Sequence, residues 1–339
     1  MGCGLITATA HLPAALRSSK IDVVALIDST IDTARTLARS FALNCTISDT
    51  LHDVIDHVDG VLIATPNHSH YPLARVALEK HVPVLIEKPL TTTYADAIEL
   101  CELARKNTTV ISVGYKTRHF PSVRLLKRLL ANGWLGRINR FHYECGSRGG
   151  WQPVSGYNID REKSGGGVLV VSGAHFLDRM LYWFGAPAQI RYRDDSYGGV
   201  EANCKADLVF DSGAGTFAGT FFMSKTVQLR NTFTLDTEKY RCELPETESE
   251  HITVVPHTDT GLTMELFSHA ADKHQASRDY FQVQLEEFAD TIHGTGRPTV
   301  DGWSGARSIK LIEEMYRDRA QLDEPWRIYP RTGAPTEHA

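Results

Sequence analysis

The sequence predicts two domains of different class: an α/β unit on a doubly wound parallel sheet, then an α+β unit on a mainly antiparallel sheet. Three observations carry this expectation. At 339 residues the chain is long enough to bury two hydrophobic cores. Up to Gly114, strand-like and helix-like runs alternate, which is the pattern of βαβ units. Beyond Gly114, several strand-like runs follow one another without intervening helices, which favours antiparallel pairing. The expected boundaries are 1–116 for the first domain, 117–330 for the second, and a loose polar tail over 331–339.

Taken in order, Gly2-Cys3-Gly4 reads as the tight turn between a first strand and a first helix, yet only Met1 precedes it. Two readings stand: the natural start lies upstream, or the sheet lacks its central strand. Ile21–Ile27 reads as a strand ending at Asp28, and Asp32–Phe41 as a helix. A short strand over Cys45–Ile47 and a helix over Thr50–Ile55 follow. Gly60–Thr65 is strand-like, and Ser69–Lys80 carries apolar residues near helical spacing. The aliphatic run Val84–Ile86 reads as a buried strand that opens into a loop at Glu87-Lys88-Pro89. Tyr94–Lys106 reads as a helix, and Thr109–Gly114 as the last strand-like run of this domain.

In the second domain, Ser122–Ala131 reads as a helix and Ile138–Cys145 as an alternating strand. The loop Gly146–Ser164 leads to Gly165-Gly166-Gly167 and a long apolar helix over Val168–Phe184. Strands are expected at Ala206–Phe210, Gly215–Phe222, Asn231–Leu235 and Ile252–Val255, and helices at Arg278–His293 and Ser304–Asp318. Internal repeats and low-complexity stretches are absent from the sequence.

Composition narrows the function classes. Hydrophobic residues make up 42% and charged residues 23%, the profile of a soluble globular chain. A formal charge of −5 offers no general attraction to nucleic acid or to an anionic membrane. No apolar stretch approaches membrane-spanning length, and six scattered cysteines without a Cys-x-x-Cys fit reduced thiols. Cytoplasmic location is the expectation. His11, His68 and His70 raise a metal reading, but no local carboxylate completes a ligand set, and no metal is expected.

Several motifs occur in a fixed order: Gly2-Cys3-Gly4 with His11-Leu12-Pro13, Ala64-Thr-Pro-Asn-His68, Glu87-Lys88-Pro89, Gly165-Gly-Gly167, and Gly173-Ala174-His175. In this order they resemble the glucose-fructose oxidoreductase/inositol dehydrogenase (Gfo/Idh/MocA) family of NAD(P)-dependent sugar and polyol oxidoreductases. The resemblance runs from Gly2 to about Pro298. It implies a Rossmann first domain, a large open sheet in the second, a sugar or polyol substrate, and a homodimer or homotetramer assembled through that sheet. It also implies a cofactor site at Gly2, Gly4, Leu5, Ile6, Asp28, Thr65, Pro66, Asn67, His70, Glu87 and Lys88. A cis bond between Lys88 and Pro89 belongs to the same implication.

Each candidate carries a plain alternative. An acid at Asp28 can accept bonds from the adenosine ribose and repel a 2′-phosphate, which favours NAD over NADP; it can equally cap the next helix. Lys88, at the carboxyl edge of a parallel strand, can stabilise negative charge on the reacting oxygen, or sit as an ordinary surface lysine. His175 has the pKa to take an alcohol proton; the alternative is a core histidine bonded to a carbonyl. Asp178 can orient His175, or pair with Arg179 or solvent. Tyr115, Arg118 and Trp151 are candidate sugar contacts or interdomain packing.

One departure stands out. Members of the family resembled commonly carry an aspartate four residues before the histidine, and this chain has Val171 there. The expected activity is oxidation of a secondary alcohol, or the reverse, with His175 as acid/base and Lys88 on the oxyanion. The rival readings are a non-catalytic NAD- or sugar-sensing regulator and an NAD-dependent glycosidase.

Overall fold

The computed structural model describes residues 1–148, 156–213, 215–268 and 279–322. Helix α1 spans Leu12–Arg17 and is preceded by a π-helical turn over Thr7–His11. The first domain then runs β1 Ala25–Ile27, α2 Ile31–Ser40, β2 Thr46–Ser48, β3 Val61–Ile63, α3 His70–Glu79, β4 Val84–Ile86, α4 Tyr94–Lys106 and β5 Ile111–Val113. All of its strand pairs are parallel. The aliphatic run read as a buried strand is one: Val84, Leu85 and Ile86 are each 1% exposed or less, sandwiched between helices on both faces.

The expected single sheet is instead in two pieces, β2–β1 and β3–β4–β5. Met1 and Gly2 bridge them: Gly2 N donates to Ile27 O at 2.8 Å, and Ala64 N donates to Met1 O at 2.9 Å. Below this bridge, residues 21–24 have no strand along their inner edge, so β1 shrinks to three residues. An apolar slot of about 150 Å³ fills the gap, lined by Val23, Ala25, Leu51, Val54, Leu62 and Leu285. The helix expected over Thr50–Ile55 is also corrected. It is two 3₁₀ turns, Leu51–Asp53 and Ile55–His57, because Val54 at φ −127° leaves the helical region between them.

The second domain opens with α5 Pro121–Ala131 and β6 Ile138–Gly146. Next come α6 Arg161–Ser164, α7 Ala174–Phe184, β7 Gln189–Asp194, β8 Asn203–Asp211 and β9 Thr216–Ser224. The remaining strands are β10 Thr232–Thr237, β11 Tyr240–Pro245, β12 His251–Pro256 and β13 Met264–Phe267; α8 Tyr280–Ile292, α9 Gly302–Arg317 and β14 Ala320–Gln321 close the chain. Nine strands form one sheet in the order β13-β12-β11-β10-β6-β9-β8-β7-β14. It is antiparallel except at β6–β9 and β7–β14. Sequence reading did not single out β7, β11, β13 and β14; in β7 and β11 charged residues such as Arg191, Arg193, Arg241 and Glu243 alternate with more buried ones. One face of the sheet is sealed by α7, with Phe176 stacked on Tyr143 at 3.8 Å and packed against Phe141, Phe221 and Phe233.

Helices α8 and α9 return to the first domain. Gln284 Nε2 donates to Val113 O at 3.0 Å, Val113 N donates to Val300 O at 3.0 Å, and Gly305 lies against Val113 and Leu90. Two late helices of the chain thus pack against the sheet of the first domain. The tail over 331–339 and the start of the expected helix at Arg278 lie outside the described residues.

Candidate active site

The first turn has the form a dinucleotide needs. Gly2 sits at φ +83°, and a Cβ there would lie 2.5 Å from Ala64 O, so only glycine fits. A Cβ on Gly4 would meet nothing within 4 Å, and the side chains of Leu5 and Ile6 are exposed beside it. Asp28 closes the turn: Oδ2 accepts from Cys3 N at 2.8 Å and Oδ1 from Thr30 N at 2.9 Å. Neither bond uses all the lone pairs of its oxygen, so the carboxylate can still accept from a ribose. An open glycine turn beside a carboxylate at the end of β1 fits NAD, with Gly2, Gly4, Leu5, Ile6 and Asp28 as the residues that would hold it.

The neighbouring loops are tied to one another. Ser69 Oγ donates to Pro66 O at 2.6 Å and lies 2.7 Å from Thr65 Oγ1, whose hydroxyl can donate to it. Asn67 donates to Ser164 O at 2.7 Å and so joins this loop to the second domain. His70 departs from its expected cofactor role. It is fully buried between the two loops, with Nδ1 2.8 Å from Pro89 O and Nε2 2.9 Å from Thr65 O; in the neutral ring one of the two nitrogens donates. Burial outweighs the two carbonyls and pushes its pKa below the usual range.

At the end of β4, Glu87 Oε1 lies 2.7 Å from His11 Nε2, and Oε2 accepts from Lys88 N at 3.0 Å. Burial pushes this carboxyl up, but the bond and charge of His11, with Lys88, outweigh it and hold Glu87 below the usual range. Lys88 is followed by the expected cis bond to Pro89. Its Nζ donates to Val171 O at 2.7 Å. Burial lowers the Lys88 pKa, Glu87 opposes that, and the cations Lys225 and Lys116 add to the lowering.

Position 171 thus meets Lys88 through its backbone carbonyl rather than its side chain. The predicted long helix is π-helical over Leu169–Gly173 before it becomes α7, and the wide turn leaves the Val171 carbonyl to Lys88. One turn later stands His175, edge-on to the Tyr115 ring at 6.0 Å between centroids. Its Nδ1 is buried without a hydrogen-bond partner. Burial, then the charges of Lys88, Arg179 and Lys116, push its pKa well below the usual value. His175 is thus held neutral by burial first and then by neighbouring cations.

Asp178 does not orient His175. Both of its oxygens go to Arg118, with Nε–Oδ2 at 2.6 Å and Nη2–Oδ1 at 2.8 Å, and both side chains are buried. Burial pushes the Asp178 carboxyl up and the guanidinium pulls against it. Arg118 thereby commits its Nε–Nη2 edge to Asp178, is itself buried, and lies with its guanidinium 4.3 Å from the Tyr182 ring. Tyr115 is wholly buried against His175, so it shapes the imidazole's wall. Trp151 lies outside the described residues.

Some site residues escaped sequence reading. Glu201, 1% exposed, accepts from Gly167 N, Leu169 N and Tyr316 Oη, each at 2.8–2.9 Å, and so anchors the turn that presents Val171. Gly166 lies so close to Tyr316 Oη that no Cβ fits. Arg179, one turn after His175, is paired with Glu246. Lys116, Lys225 and Tyr157 complete the surroundings, Tyr157 lying near enough for the Glu87 charge to add to burial in raising its phenol. A lone Glu in a loop gives no sequence signal; its role exists only through backbone donors more than thirty residues away. Among the described residues no group of three or more His, Cys, Asp or Glu could hold a metal ion, and no helix is long and apolar enough to cross a membrane.

A parallel nucleotide domain whose crevice meets a second, open-sheet domain defines a two-domain, dinucleotide-dependent class of protein. The chain belongs to the Gfo/Idh/MocA oxidoreductase family: residues 1–115 match its NAD-binding Rossmann fold and residues 127–323 its C-terminal alpha/beta domain. It is 31% identical over 194 residues to D-glucoside 3-dehydrogenase of Escherichia coli, covering 56% of this chain and 54% of that protein. Against glucose-6-phosphate 3-dehydrogenase of Bacillus subtilis the identity is 27%, covering 54% and 52%. The chain thus spans about half the length of these curated relatives. Among solved structures, aldose-aldose oxidoreductase from Caulobacter crescentus with glycerol superposes with a TM-score of 0.81 at 22% identity, covering 94% and 95% of the two chains. Levoglucosan dehydrogenase with NADH and levoglucosan gives 0.79 at 19%, with the same coverage. These structural likenesses establish the fold.

Proposed function

We propose that the protein is an NAD-dependent dehydrogenase oxidising a secondary alcohol of a sugar, polyol or sugar derivative, or reducing the corresponding ketone. The observation that carries this reading is the 2.7 Å bond from Lys88 Nζ to Val171 O, which sets an ammonium one turn before His175. The ammonium, delivered from the carboxyl edge of β4, thus meets the start of the helix that carries the imidazole. When bound, NAD accepts the hydride from the carbinol carbon. His175, neutral because burial and cations depress its pKa, takes the hydroxyl proton. Val171 uses one of the three Lys88 donors, leaving two for the reacting oxygen, where they offset developing negative charge. Sugar dehydrogenases among the relatives support the substrate class.

Asp28 supports NAD over NADP, because a 2′-phosphate would meet its carboxylate. Self-association through the open face of the nine-stranded sheet, lined by Arg140, Thr220, Arg230, Asp236 and Glu243, belongs to the same reading and is checked by sedimentation. The deciding experiment pairs calorimetry with steady-state kinetics. Lys88→Ala is expected to keep NAD affinity and lose about a hundredfold or more in kcat. Unchanged turnover would remove Lys88 from the mechanism, and a higher kcat/KM with NADP would overturn the cofactor assignment.

A further inference from the structure

Three cations, Lys88, Lys116 and Lys225, gather near the start of the helix that carries His175. Lys88 is balanced by Glu87, Arg179 is paired with Glu246, and Arg118 is paired with Asp178. Lys116 and Lys225 remain. Lys116 Nζ lies 4.1 Å from the Phe281 ring centroid; Phe281 packs edge-on to His11 at 4.9 Å, and His11 bonds Glu87. This chain of contacts sets Lys116 beside the Glu87-Lys88 loop. Lys225 is delivered from the other side. It follows the last residue of β9, where Met223 packs against Gly173, two residues before His175, and its amide donates to Ala202 O at 2.9 Å.

Neither ammonium has a carboxylate within 4 Å among the described residues, and Lys225 is only partly exposed. Both lie near enough to Lys88 for their charges to act on it, and Lys116 acts on His175 as well. Glu248 feels the Lys116 charge from one side, whereas no carboxylate of the described residues acts on Lys225, only the Cys145 thiol. An enclosed excess of positive charge is costly unless a ligand supplies the counter-charge. A neutral polyol does not; a sugar bearing a carboxylate or a phosphate does.

We infer that the substrate is an anionic sugar derivative, its carboxylate or phosphate received by Lys225 with Lys116 beside it. The inference rests on the dehydrogenase reading only for which hydroxyl reacts, since charge recognition is a binding property. Lys225 is a specificity residue in this scheme: it touches the acidic group and not the carbinol.

The experiment uses the full chain loaded with NAD and measures binding separately from turnover. Glucose, gluconate, glucuronate and glucose 6-phosphate are titrated by calorimetry and tested for NAD reduction. At least one acid is expected to bind on the order of tenfold or more tighter than glucose, as a charge-assisted bond in an enclosed site implies. The two carboxylates against the phosphate distinguish which anion the pocket fits. Lys225→Gln is expected to weaken that acid at least tenfold more than it weakens glucose, and Lys225→Arg to restore most of the difference. The preference should also shrink at high ionic strength. Equal binding of acid and neutral sugar, or equal weakening of both by Lys225→Gln, overturns the inference. Lys225-dependent binding of an acid without NAD reduction upholds it and overturns the dehydrogenase reading instead.

Discussion

Arg118 was a candidate sugar contact, and the structure turns it into a stability prediction. Arg118→Met keeps the stem's volume but leaves Asp178, fully buried, without the two bonds of 2.6 and 2.8 Å that now satisfy it. Removing one member of a buried pair strands the other charge, at about 3–5 kcal/mol. In the double variant Arg118→Met/Asp178→Leu no charge is stranded, and most of that loss should return, giving a coupling of roughly 2 kcal/mol or more. The assay is urea unfolding at pH 7 of the wild type, both single variants and the double variant, read by midpoint and slope. A single-variant cost below about 1 kcal/mol, or a double variant no more stable than the Arg118→Met single, would refute the argument. A direct sugar contact would show differently, as a rise in KM that persists in the double variant after stability returns.

Acid sensitivity provides a second test. His119 is pushed down to about 3, by burial first and then by Arg124 and Arg118, and Arg124 donates to its Nδ1 at 3.0 Å. The unfolded chain, with its histidine near 6.5, then binds the extra proton, so the contribution is present above that pH and lost as pH falls toward 3. From pH 7 to pH 5 the loss is about 2 kcal/mol from this residue. His119→Gln, which retains an acceptor for Arg124, should reduce the measured drop by about that much, and an undiminished drop counts against it. Glu201→Gln should cost about 1–3 kcal/mol, because an amide cannot accept from Gly167 N and Leu169 N together; a cost under about 0.5 kcal/mol in thermal unfolding would dispose of the anchor role.

Much of the fold was legible because its signals are local. The run Val84–Ile86 announces a buried strand by composition, and Tyr94–Lys106 a helix by spacing, with Thr93 capping it through Asp96 N. The candidate chemistry was equally legible at Lys88 and His175, since a cation at a strand's carboxyl edge and a histidine after small residues are short-range patterns. The same patterns failed where a neighbour decides the outcome. Thr50–Ile55 has helical spacing but breaks at Val54, and residues 21–24 have strand composition but no inner partner.

The sequence by itself determined the order of elements, the two-domain class and the residue types available for chemistry. Tertiary structure alone decided who meets whom. It gave Asp178 to Arg118, sixty residues away, rather than to His175, three residues away. It set the Val171 carbonyl on Lys88, and it gathered Lys116 and Lys225 around that ammonium. The physical reason is that a side chain's periodicity fixes which face it occupies, whereas its partner, its burial and hence its charge state depend on surfaces brought together only when distant segments pack.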